Sequence, residues 1–379
     1  MTRSLFTLVF FFCAQFLFAQ HSIRIELVGL PANHNNSNSL YIAGAFNSWN
    51  PKNEQYKFQQ DEKGRYFILL KLNSGSFEYK ITRGGWDKVE CSKSGGAIGN
   101  RVLKVDADVT IELTIDGWQD QFNAKPKIST ASPNVRIIDT AFFIPQLQRT
   151  RRIWIYWPNE ATNARHSRYP VLYMHDGQNI FEDTSSFSGE WGIDEFLDTT
   201  QLKNCIVVGI DNGKDKRSNE YNPYDHERFG KGEGDAYVDF IVNTLKPYID
   251  KNYPTLKEKK HTFIAGSSMG GLISMYAVMK YPKVFGGAGV FSPAFWTAPK
   301  IFDDLKKKSK KINSNIFFYV GKLEGERMMP DMLKAVECLS GKSKSKIKNV
   351  ILDDGKHDEA TWRKEFPLGY QWMVFGADR

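Results

Sequence analysis

The sequence predicts an α/β fold in which a mostly parallel eight-stranded sheet is preceded by a small all-β, immunoglobulin-like sandwich. Two observations support this prediction. From residue 135 onward, strand-like runs alternate with helical patterns, whereas residues 22–116 contain only short strand-like runs between turn signals. Several of the later runs are apolar at nearly every position, which is typical of strands covered on both faces.

Residues 1–20 form a separate segment. Arg3 provides a positive start, Leu5–Phe18 is almost wholly apolar, and the segment ends at Ala19 and Gln20. This pattern is typical of a secretory signal peptide, and the apolar run is shorter than the ~20 residues that a membrane span needs. We therefore expect a secreted or periplasmic protein with no stable membrane insertion after cleavage.

Residues 21–116 are predicted to be the sandwich, and no segment among them has helical periodicity. The predicted strands are Ser22–Leu30, Ser39–Ala45, Arg65–Leu72, Phe77–Thr82 and Thr110–Thr114. Residues 117–134 are mostly polar and contain Pro126 and Pro133, so we interpret them as a linker.

Residues 135–379 are predicted to be the α/β domain, because strand–helix–strand alternation builds parallel sheets through right-handed crossovers. The predicted strands are Val135–Ile144, Arg152–Trp157, Pro170–His175, Cys205–Ile210, His261–Ala265, Gly286–Phe291, Ile316–Val320 and Ile347–Leu352. The predicted helices are 192–199, 235–252, 269–280, 298–310, 328–339 and 358–375.

The net charge of +8 arises largely from two lysine-rich runs, Lys306–Lys311 and Lys342–Lys348. Neither run has interleaved aromatic residues, so both are interpreted as solvated faces and no nucleic-acid partner is expected. After loss of Cys13 with the signal peptide, three widely spaced cysteines remain. We interpret them as free thiols rather than as a disulfide framework or a metal site.

The pattern G-x-S-x-G occurs at Gly266–Gly270, where an apolar run ends and a helical pattern begins. A serine on such a strand-to-helix turn has its hydroxyl exposed above the sheet. Serine is a poor nucleophile without a base, so Ser268 as a nucleophile requires a histidine and an acid elsewhere.

In the hydrolase version of this fold the chain order is serine, acid, histidine. His357 is the one histidine of seven that follows Ser268, so it is the predicted base. The acid is expected just after the preceding strand, where Glu324 is our choice. Glu326 and Asp331 are competitors, because spacing alone does not separate neighbouring carboxylates.

An oxyanion that forms during ester attack needs preorganised N–H donors. The backbone amides of Met269, directly after the nucleophile, and of Gln178, after the third strand, are the predicted donors. His175 and Asp176 could instead form a metal pair, but no third ligand stands at a suggestive spacing. We therefore expect no metal and no cofactor.

Five segments of the α/β domain resemble the Putative esterase family of α/β-hydrolases. The segments are Val171–Phe181, Ile206–Asp211, Arg217–Tyr221, Gly266–Gly270 and Gly355–Trp362. The family includes feruloyl and acetyl-xylan esterases of carbohydrate esterase family 1, esterase D and enterochelin-type siderophore esterases. The resemblance implies the α/β-hydrolase fold, ester hydrolysis and the triad Ser268, Glu324 and His357, but not the substrate.

Three further residues are candidates for the substrate pocket: Trp191, Arg217 and Phe295. Each has a structural alternative. Trp191 and Phe295 are aromatic residues that core packing would equally explain, and Arg217 could form a salt bridge that holds its loop. If free, Arg217 would suit an anionic group of the substrate.

In the sandwich, Leu40–Pro51, Phe77–Ile81, Gly85–Trp86 and Gly99–Arg101 resemble carbohydrate-binding module family 48. By that resemblance, Trp49 and Trp86 would stack on sugar rings, and Lys80 and Asn100 would hydrogen-bond sugar hydroxyls. The segment Arg83–Glu90 departs from the usual loop of the family. A purely structural or substrate-shaping role for the module is the alternative.

The sequence therefore predicts a secreted serine esterase, acting on a carbohydrate-linked ester of the feruloyl or acetyl-xylan type. A siderophore lactone is the alternative substrate. An acyltransferase and a non-catalytic glycan-binding protein are the two other classes of function that fit the same residues.

Overall fold

The computed structural model describes residues 20–35, 37–47, 49–122, 129–158, 167–186, 189–202, 205–227 and 229–377. The chain forms two compact units, Met1–Lys125 and Pro126–Arg379. The division falls inside the segment 117–134 that the sequence predicts to be a linker. The predicted signal peptide lies outside the described residues, apart from Gln20.

The first unit consists of short β-strands that pack around one apolar core. The strands are β1 (Gln20–Gly29), β2 (Tyr41–Gly44), β3 (Gln59–Gln60), β4 (Tyr66–Asn73), β5 (Gly75–Thr82), β6 (Glu90–Cys91), β7 (Arg101–Val105), β8 (Val109–Thr114) and β9 (Gly117–Trp118). They form a four-stranded sheet β3-β4-β1-β8, a three-stranded sheet β2-β5-β7 and the pair β6-β9. Alternate residues of β1 and β4 are buried, as a half-buried strand requires.

This architecture confirms the predicted all-β unit but differs from the prediction in detail. Trp118 is fully buried in the core, so the β-structure continues past residue 116. The strands β3, β6, β7 and β9 were not predicted, because runs of two to five residues carry too little alternation to be recognised. Four single turns of 3-10 helix occur as well, at Ala45–Asn47, Glu54–Tyr56, Trp86–Lys88 and Gln119–Gln121.

The second unit contains eight strands and eight α-helices among its described residues. The strands are β10 (Val135–Ile144), β11 (Arg149–Tyr156), β12 (Val171–His175), β13 (Ile206–Ile210), β14 (Thr262–Ser267), β15 (Gly287–Phe291), β16 (Asn315–Gly321) and β17 (Lys346–Leu352). The helices are α1 (Ile193–Thr199), α2 (Arg217–Glu220), α3 (Gly234–Phe240), α4 (Lys246–Asn252), α5 (Met269–Lys280), α6 (Lys300–Lys308), α7 (Met328–Leu339) and α8 (Glu359–Phe375).

All eight predicted strands of this unit are confirmed, and they form one sheet in the order β10-β11-β13-β12-β14-β15-β16-β17. β11 is antiparallel to both of its neighbours, and every pair from β13 to β17 is parallel. The central strands β12, β13, β14 and β15 are buried at every residue, because apolar clusters cover both faces of the sheet.

The parallel arrangement places the carboxyl ends of β12, β14, β15 and β16 at one edge of the sheet, which is where open α/β sheets hold their sites. Cys91, Cys205 and Cys338 are free and buried, as predicted. Among the described residues, no helix has the length and apolar character of a membrane span.

Candidate active site

Ser268 is the single residue between β14 and α5, and its backbone is strained. Its φ of 57° and ψ of −120° lie in a region that non-glycine residues rarely occupy. The conformation is held by two backbone hydrogen bonds, from Ser268 N to Phe291 O at 2.9 Å and from Ala294 N to Ser268 O at 3.0 Å. Ser268 therefore sits on the strand-to-helix turn that the sequence predicts.

Gly266 of the motif and Gly271, which directly follows the motif, have close contacts around this turn. A Cβ on Gly266 would lie 3.0 Å from His175 Cδ2, and one on Gly271 would lie 2.7 Å from Phe291 O. A side chain at Gly271 would therefore clash with the backbone, and one at Gly266 would be tightly packed against His175.

His357 and Glu324 are hydrogen-bonded, with His357 Nδ1 at 3.0 Å from Glu324 Oε2. His357 lies in the loop between β17 and α8 with 32% of its side chain exposed, whereas the Glu324 side chain is fully buried. A buried carboxylate on Nδ1 orients the imidazole and leaves Nε2 for proton transfer. The Ser268 hydroxyl makes no hydrogen bond to His357 among the described contacts, and such bonds are often long without substrate.

The two competing carboxylates lie elsewhere. Glu326 is exposed, and Asp331 is 3.6 Å from Arg327 in an ion pair. Glu324 is held by further donors, since Oε1 accepts hydrogen bonds from Gly321 N at 2.6 Å and from Ser292 Oγ at 2.8 Å. Of the carboxylates considered, Glu324 has the geometry of a triad acid.

The predicted oxyanion donors lie on neighbouring strand ends. β12 and β14 pair in parallel with Met174 opposite Ala265, so the residues that follow these strands are adjacent. Met269 is the first residue of α5, and its N–H has no acceptor within the helix. Gln178 lies in the turn Gly177–Asn179 directly after β12.

Asp176 and Arg217 form a bidentate ion pair beside this turn. Arg217 Nε and Nη2 donate to the Asp176 carboxylate at 2.7 and 2.8 Å. The guanidinium keeps the pKa of Asp176 below its ordinary value despite burial. Since Asp176 occupies its guanidinium, Arg217 is not free for an anionic substrate group, and its proposed role in the pocket is corrected to a structural ion pair.

His175 is buried against the strand-to-helix turn that contains Ser268. Its Nδ1 is 3.0 Å from the hydroxyl of Tyr237, and burial lowers the pKa of His175 to about 3. The imidazole is therefore neutral at physiological pH. No cluster of three potential metal-ligating side chains occurs in the part of the chain that the structure describes.

The other two predicted pocket residues are buried in the core. Trp191 is 4% exposed and stacks on Trp362, with ring centroids 5.6 Å apart. Phe295 is fully buried and packs against Phe302. The predictions that Trp191 and Phe295 contact the substrate are corrected, because both rings are buried against other side chains of the core.

A cavity of about 250 Å³ opens near the turn at Thr297. Its lining residues are Tyr224, Asp225, His226, Glu227, Thr297, Ala298, Pro299 and Lys300. Thr297 Oγ1 lies 3.3 Å from Met269 Sδ, so the cavity adjoins the residue that follows Ser268. The sequence did not predict this cavity, because its lining residues come from two short segments, 224–227 and 297–300, and neither segment carries a motif.

The four predicted sugar-binding residues of the first unit lie in two groups. The rings of Trp49 and Trp86 are 6.2 Å apart and tilted by 40°. Lys80 Nζ donates to the carbonyl oxygens of Ile98 and Gly99, and burial lowers the pKa of Lys80. Asn100 Nδ2 donates to Glu78 Oε2 at 3.3 Å.

Comparisons with known proteins assign most of the second unit to one family. The sequence model with the description "Putative esterase" matches residues 144–373. The chain is 26% identical to the uncharacterized protein YbbA of Bacillus subtilis, over 60% of this chain and 94% of YbbA. It is also 26% identical to an endo-1,4-beta-xylanase/feruloyl esterase of Xylanibacter ruminicola, over 55% of this chain and 27% of that protein.

One further sequence match is short, and another match is to a solved structure. A stretch of 103 residues, 26% of this chain, is 39% identical to an alpha-amylase of Niallia circulans and covers 8% of that protein. The solved structure of the enterobactin esterase FES from Shigella flexneri has the same fold, with a TM-score of 0.54 and 16% identity. The alignment covers 92% of this chain and 91% of that chain.

Proposed function

Because the chain belongs to the Putative esterase family and is a carboxylic ester hydrolase, we propose that it works as a serine esterase through an acyl-enzyme on Ser268. The observation that carries the proposal is the buried Glu324 carboxylate on His357 Nδ1, at the same sheet edge as the strained Ser268. Such a constellation is recognised by geometry and roles rather than by sequence position.

In the proposed acylation step, Ser268 Oγ attacks the ester carbonyl while His357 Nε2 accepts the hydroxyl proton. The carbonyl oxygen develops negative charge as the tetrahedral intermediate forms, and the backbone N–H groups of Met269 and Gln178 stabilise this charge. His357 then donates its proton to the leaving alcohol as the C–O bond breaks. Glu324 remains ionised and holds the imidazolium through Nδ1.

In the proposed deacylation step, water takes the position of the departed alcohol. His357 removes a proton from this water as the water attacks the acyl carbonyl. His357 then returns the proton to Ser268 Oγ as the acyl C–O bond breaks, which releases the acid and the free Ser268 hydroxyl. The reaction balances without a cofactor. If an alcohol replaces water at this step, the same residues perform acyl transfer, which is the runner-up activity.

A carbohydrate-linked ester of the feruloyl or acetyl-xylan type is the proposed substrate class. The identity to the xylanase/feruloyl esterase supports this class, and so does the presence of an all-β unit before the esterase domain. A siderophore lactone is the alternative, which the fold shared with the enterobactin esterase supports. The cavity at Thr297 is the proposed site for part of the substrate.

Glycan binding is the proposed role of the first unit, with Trp49 and Trp86 as a stacking platform for sugar rings. Their proximity supports the proposal, and so does the 39% identity of a 103-residue stretch to an alpha-amylase. The signal-peptide pattern of residues 1–20 supports secretion or a periplasmic location. A non-catalytic glycan-binding protein would share these features but lack turnover.

The test is hydrolysis of a panel of esters by purified protein: p-nitrophenyl acetate, methyl ferulate, acetylated xylan and a catecholate trilactone. We expect turnover of the first three and a loss of at least ~10³-fold in Ser268→Ala and in His357→Ala. Ser267→Ala, which alters the neighbouring hydroxyl, is the matched control and should retain activity. Undiminished activity in Ser268→Ala would contradict the mechanism, and turnover of the trilactone alone would select the alternative substrate.

A further inference from the structure

Trp362 and Ser292 lie behind the proposed triad, and the proposed mechanism uses neither. Trp362 is 4% exposed and Ser292 is fully buried. Ser292 follows β15, and Trp362 lies in the first turns of α8, so the two residues come from different parts of the chain.

A chain of hydrogen bonds links these residues to the triad. Trp362 Nε1–H donates to Ser292 Oγ at 2.9 Å, and the Ser292 hydroxyl donates to Glu324 Oε1 at 2.8 Å. Ser292 has one hydroxyl proton, so the indole donor fixes the direction of that proton toward the carboxylate. Oε1 is thereby occupied, and Oε2 is the oxygen presented to His357.

Trp362 also contacts the base. Its ring meets the His357 ring edge to face, with centroids 5.0 Å apart and an interplanar angle of 84°. On the other side Trp191 stacks on the same indole. Asp358 caps α8 by accepting from Thr361 N at 2.9 Å, which fixes the start of the helix that carries Trp362.

Ser292 is held in a costly conformation. Its φ is 43°, in the left-handed region that favours glycine, and its N–H donates to Tyr319 O at 2.7 Å. Such strain persists only where the surroundings over-determine it, and it concentrates at functional sites. Glycine would adopt this backbone conformation readily, so the turn itself does not explain why the residue is serine. The hydrogen bonds of the Ser292 hydroxyl explain it.

We propose that Trp362 is a positioning residue that fixes acid and base together, through the Ser292 hydroxyl to Glu324 and through direct ring contact to His357. This inference rests on the proposed function. The Trp362 indole and the Ser292 hydroxyl act as one hydrogen-bonded unit. Removing both should therefore reduce turnover by less than the product of the two separate reductions. Both side chains are buried, so we expect them to act on kcat and not on KM.

The test compares Trp362→Phe, Ser292→Gly and the double variant by kcat per active site, titrated by the p-nitrophenyl acetate burst. We expect each single variant to lose about tenfold in kcat with KM changed less than twofold, and the double variant to lose far less than the product of the two. Trp372→Phe, on the same helix but distant from the triad residues in sequence, is the control and should equal wild type.

The outcomes distinguish a failure of the proposed function from a failure of the positioning role. Wild-type protein without turnover would contradict the proposed function itself. An active wild type with unchanged kcat per titrated site in Trp362→Phe and Ser292→Gly overturns the positioning role, as do fully multiplicative effects in the double variant. If Trp362→Phe does not fold, Ser292→Gly still decides, because glycine tolerates the backbone of that turn.

A second feature, independent of the triad, is a concentration of lysine at the opposite edge of the sheet. We name it the lysine edge, and it comprises four segments: Lys257–Lys260, Lys283, Lys306–Lys311 and Lys342–Lys348. Together they hold 13 lysines, no arginine and one acid, Glu258. The segments thus carry a charge of +12 within a chain whose net charge is +8, so the remainder is net negative.

Contacts between backbone segments bring the lysine edge together. Lys259 Nζ donates to Asn313 O at 2.7 Å, and Lys344 N donates to Ile312 O at 3.1 Å. Lys346 pairs with Asn315 at the start of β16. These residues surround the amino ends of β14, β16 and β17, whereas the proposed triad lies at the carboxyl ends, about 20 Å away for strands of six residues.

We infer that the lysine edge docks the protein on an anionic lipid membrane, with the proposed triad turned away from the surface. Ten of the lysines are exposed, and Lys308 is 3.5 Å from Asp304 in an ion pair. Lysines without arginine provide hydrated point charges, which suit a diffuse anionic surface better than the bidentate recognition of single phosphates.

The test is sedimentation of the full chain with vesicles of phosphatidylglycerol and phosphatidylcholine, and with phosphatidylcholine alone. We expect binding to the anionic vesicles at low salt, and its loss at high salt. Replacing Lys306, Lys307, Lys310 and Lys311 by Gln should weaken binding at least tenfold. The control replaces Lys63, Lys71, Lys88 and Lys104, exposed lysines of the first unit, and should bind like wild type.

Unchanged binding in the lysine-edge variant overturns the inference, and so does absence of binding to anionic vesicles at low salt. Binding to a soluble polyanion such as heparin without binding to vesicles also overturns the choice of a membrane. Hydrolysis of p-nitrophenyl acetate, compared with wild type, verifies that the substituted proteins are folded.

Discussion

At the scale of single residues, the candidate site depends on a buried carboxylate, Asp176, whose charge is balanced by a neighbouring guanidinium. Asp176 has a positive φ of 56° and directly precedes the turn with the proposed oxyanion donor Gln178. Arg217 saturates its carboxylate, and Asn212 Nδ2 donates to the same group at 2.7 Å. A side chain that holds a strained backbone beside an oxyanion donor affects catalysis without contacting the substrate.

Arg217→Gln should therefore reduce both stability and turnover. Removing the guanidinium leaves the Asp176 carboxylate buried without its counter-ion, which costs about 3 kcal/mol in comparable pairs. Urea unfolding measures the loss, and the double variant Asp176→Asn/Arg217→Gln should recover part of it because no buried charge remains. A single variant as stable as wild type would show that the ion pair does not hold this turn.

The sequence predicts the residues of the proposed triad better than it predicts their surroundings. Ser268 and His357 follow from a motif and from chain order, and Glu324 follows from the position after a strand. Trp191 and Phe295 were assigned to the pocket, but both are buried in the core, because a sequence shows an aromatic residue without showing which face of the sheet it packs on. The sequence could have indicated Trp362 as a neighbour of His357, because it lies at the start of the predicted helix that follows this histidine. No motif in the sequence marks Ser292.

At the scale of elements, helix ends bring distant groups to the site. α5 begins directly after Ser268, and α8 begins two residues after His357. Glu359, at the start of α8, accepts from Asn179 Nδ2 at 3.1 Å and so ties this helix to the turn Gly177–Asn179. The strands were predictable from apolar runs, whereas the π-helical turn Ile241–Leu245 that interrupts the predicted helix 235–252 leaves no trace in the sequence pattern.

The start of α1 predicts a pH-dependent stability. Asp194 is fully buried, accepts from Ser132 N at 2.7 Å, and burial raises the pKa of Asp194 from 3.8 to about 8. Between these two pH values the unfolded chain ionises Asp194 while the folded chain keeps it neutral. The contribution of Asp194 to the free energy of unfolding should therefore be fully present below pH 4 and should fall, on the order of a few kcal/mol, as the pH rises to 8.

Asp194→Asn tests this directly, because the amide cannot ionise. We expect the variant to equal wild type near pH 4 and to be more stable than wild type at pH 8, in urea unfolding at both values. Asp215→Asn, at an exposed carboxylate, is the control and should follow wild type. A variant that follows wild type at both values would mean that Asp194 does not titrate in this window.

At the scale of the whole molecule, the chain combines an esterase unit with an all-β unit. The two units were distinguishable in the sequence, because alternating short strands give way to strand–helix repeats near residue 135. The exact limit was not, since Trp118 lies in a segment that is polar on average yet is buried in the first core. One buried side chain among polar neighbours does not change the composition of a segment.

The proposed division of labour predicts separable effects. Trp49→Ala/Trp86→Ala should weaken retention on soluble xylan or starch in affinity electrophoresis at least tenfold, since stacking aromatics supply most of such contact area. Hydrolysis of p-nitrophenyl acetate should be unchanged. Tyr56→Ala, another aromatic residue of the first unit, is the control; equal retention of all three proteins would exclude a glycan platform at these tryptophans.

The central claim is that an acyl-enzyme forms on Ser268, and trapping of this nucleophile tests it most directly. We would treat the protein with a fluorophosphonate and locate the adduct by peptide mass spectrometry. We expect one adduct, on the peptide that contains Gly266–Gly270, with no labelling of Ser268→Ala and slow labelling of His357→Ala. Absence of labelling in wild type, or an adduct on another residue, would contradict it.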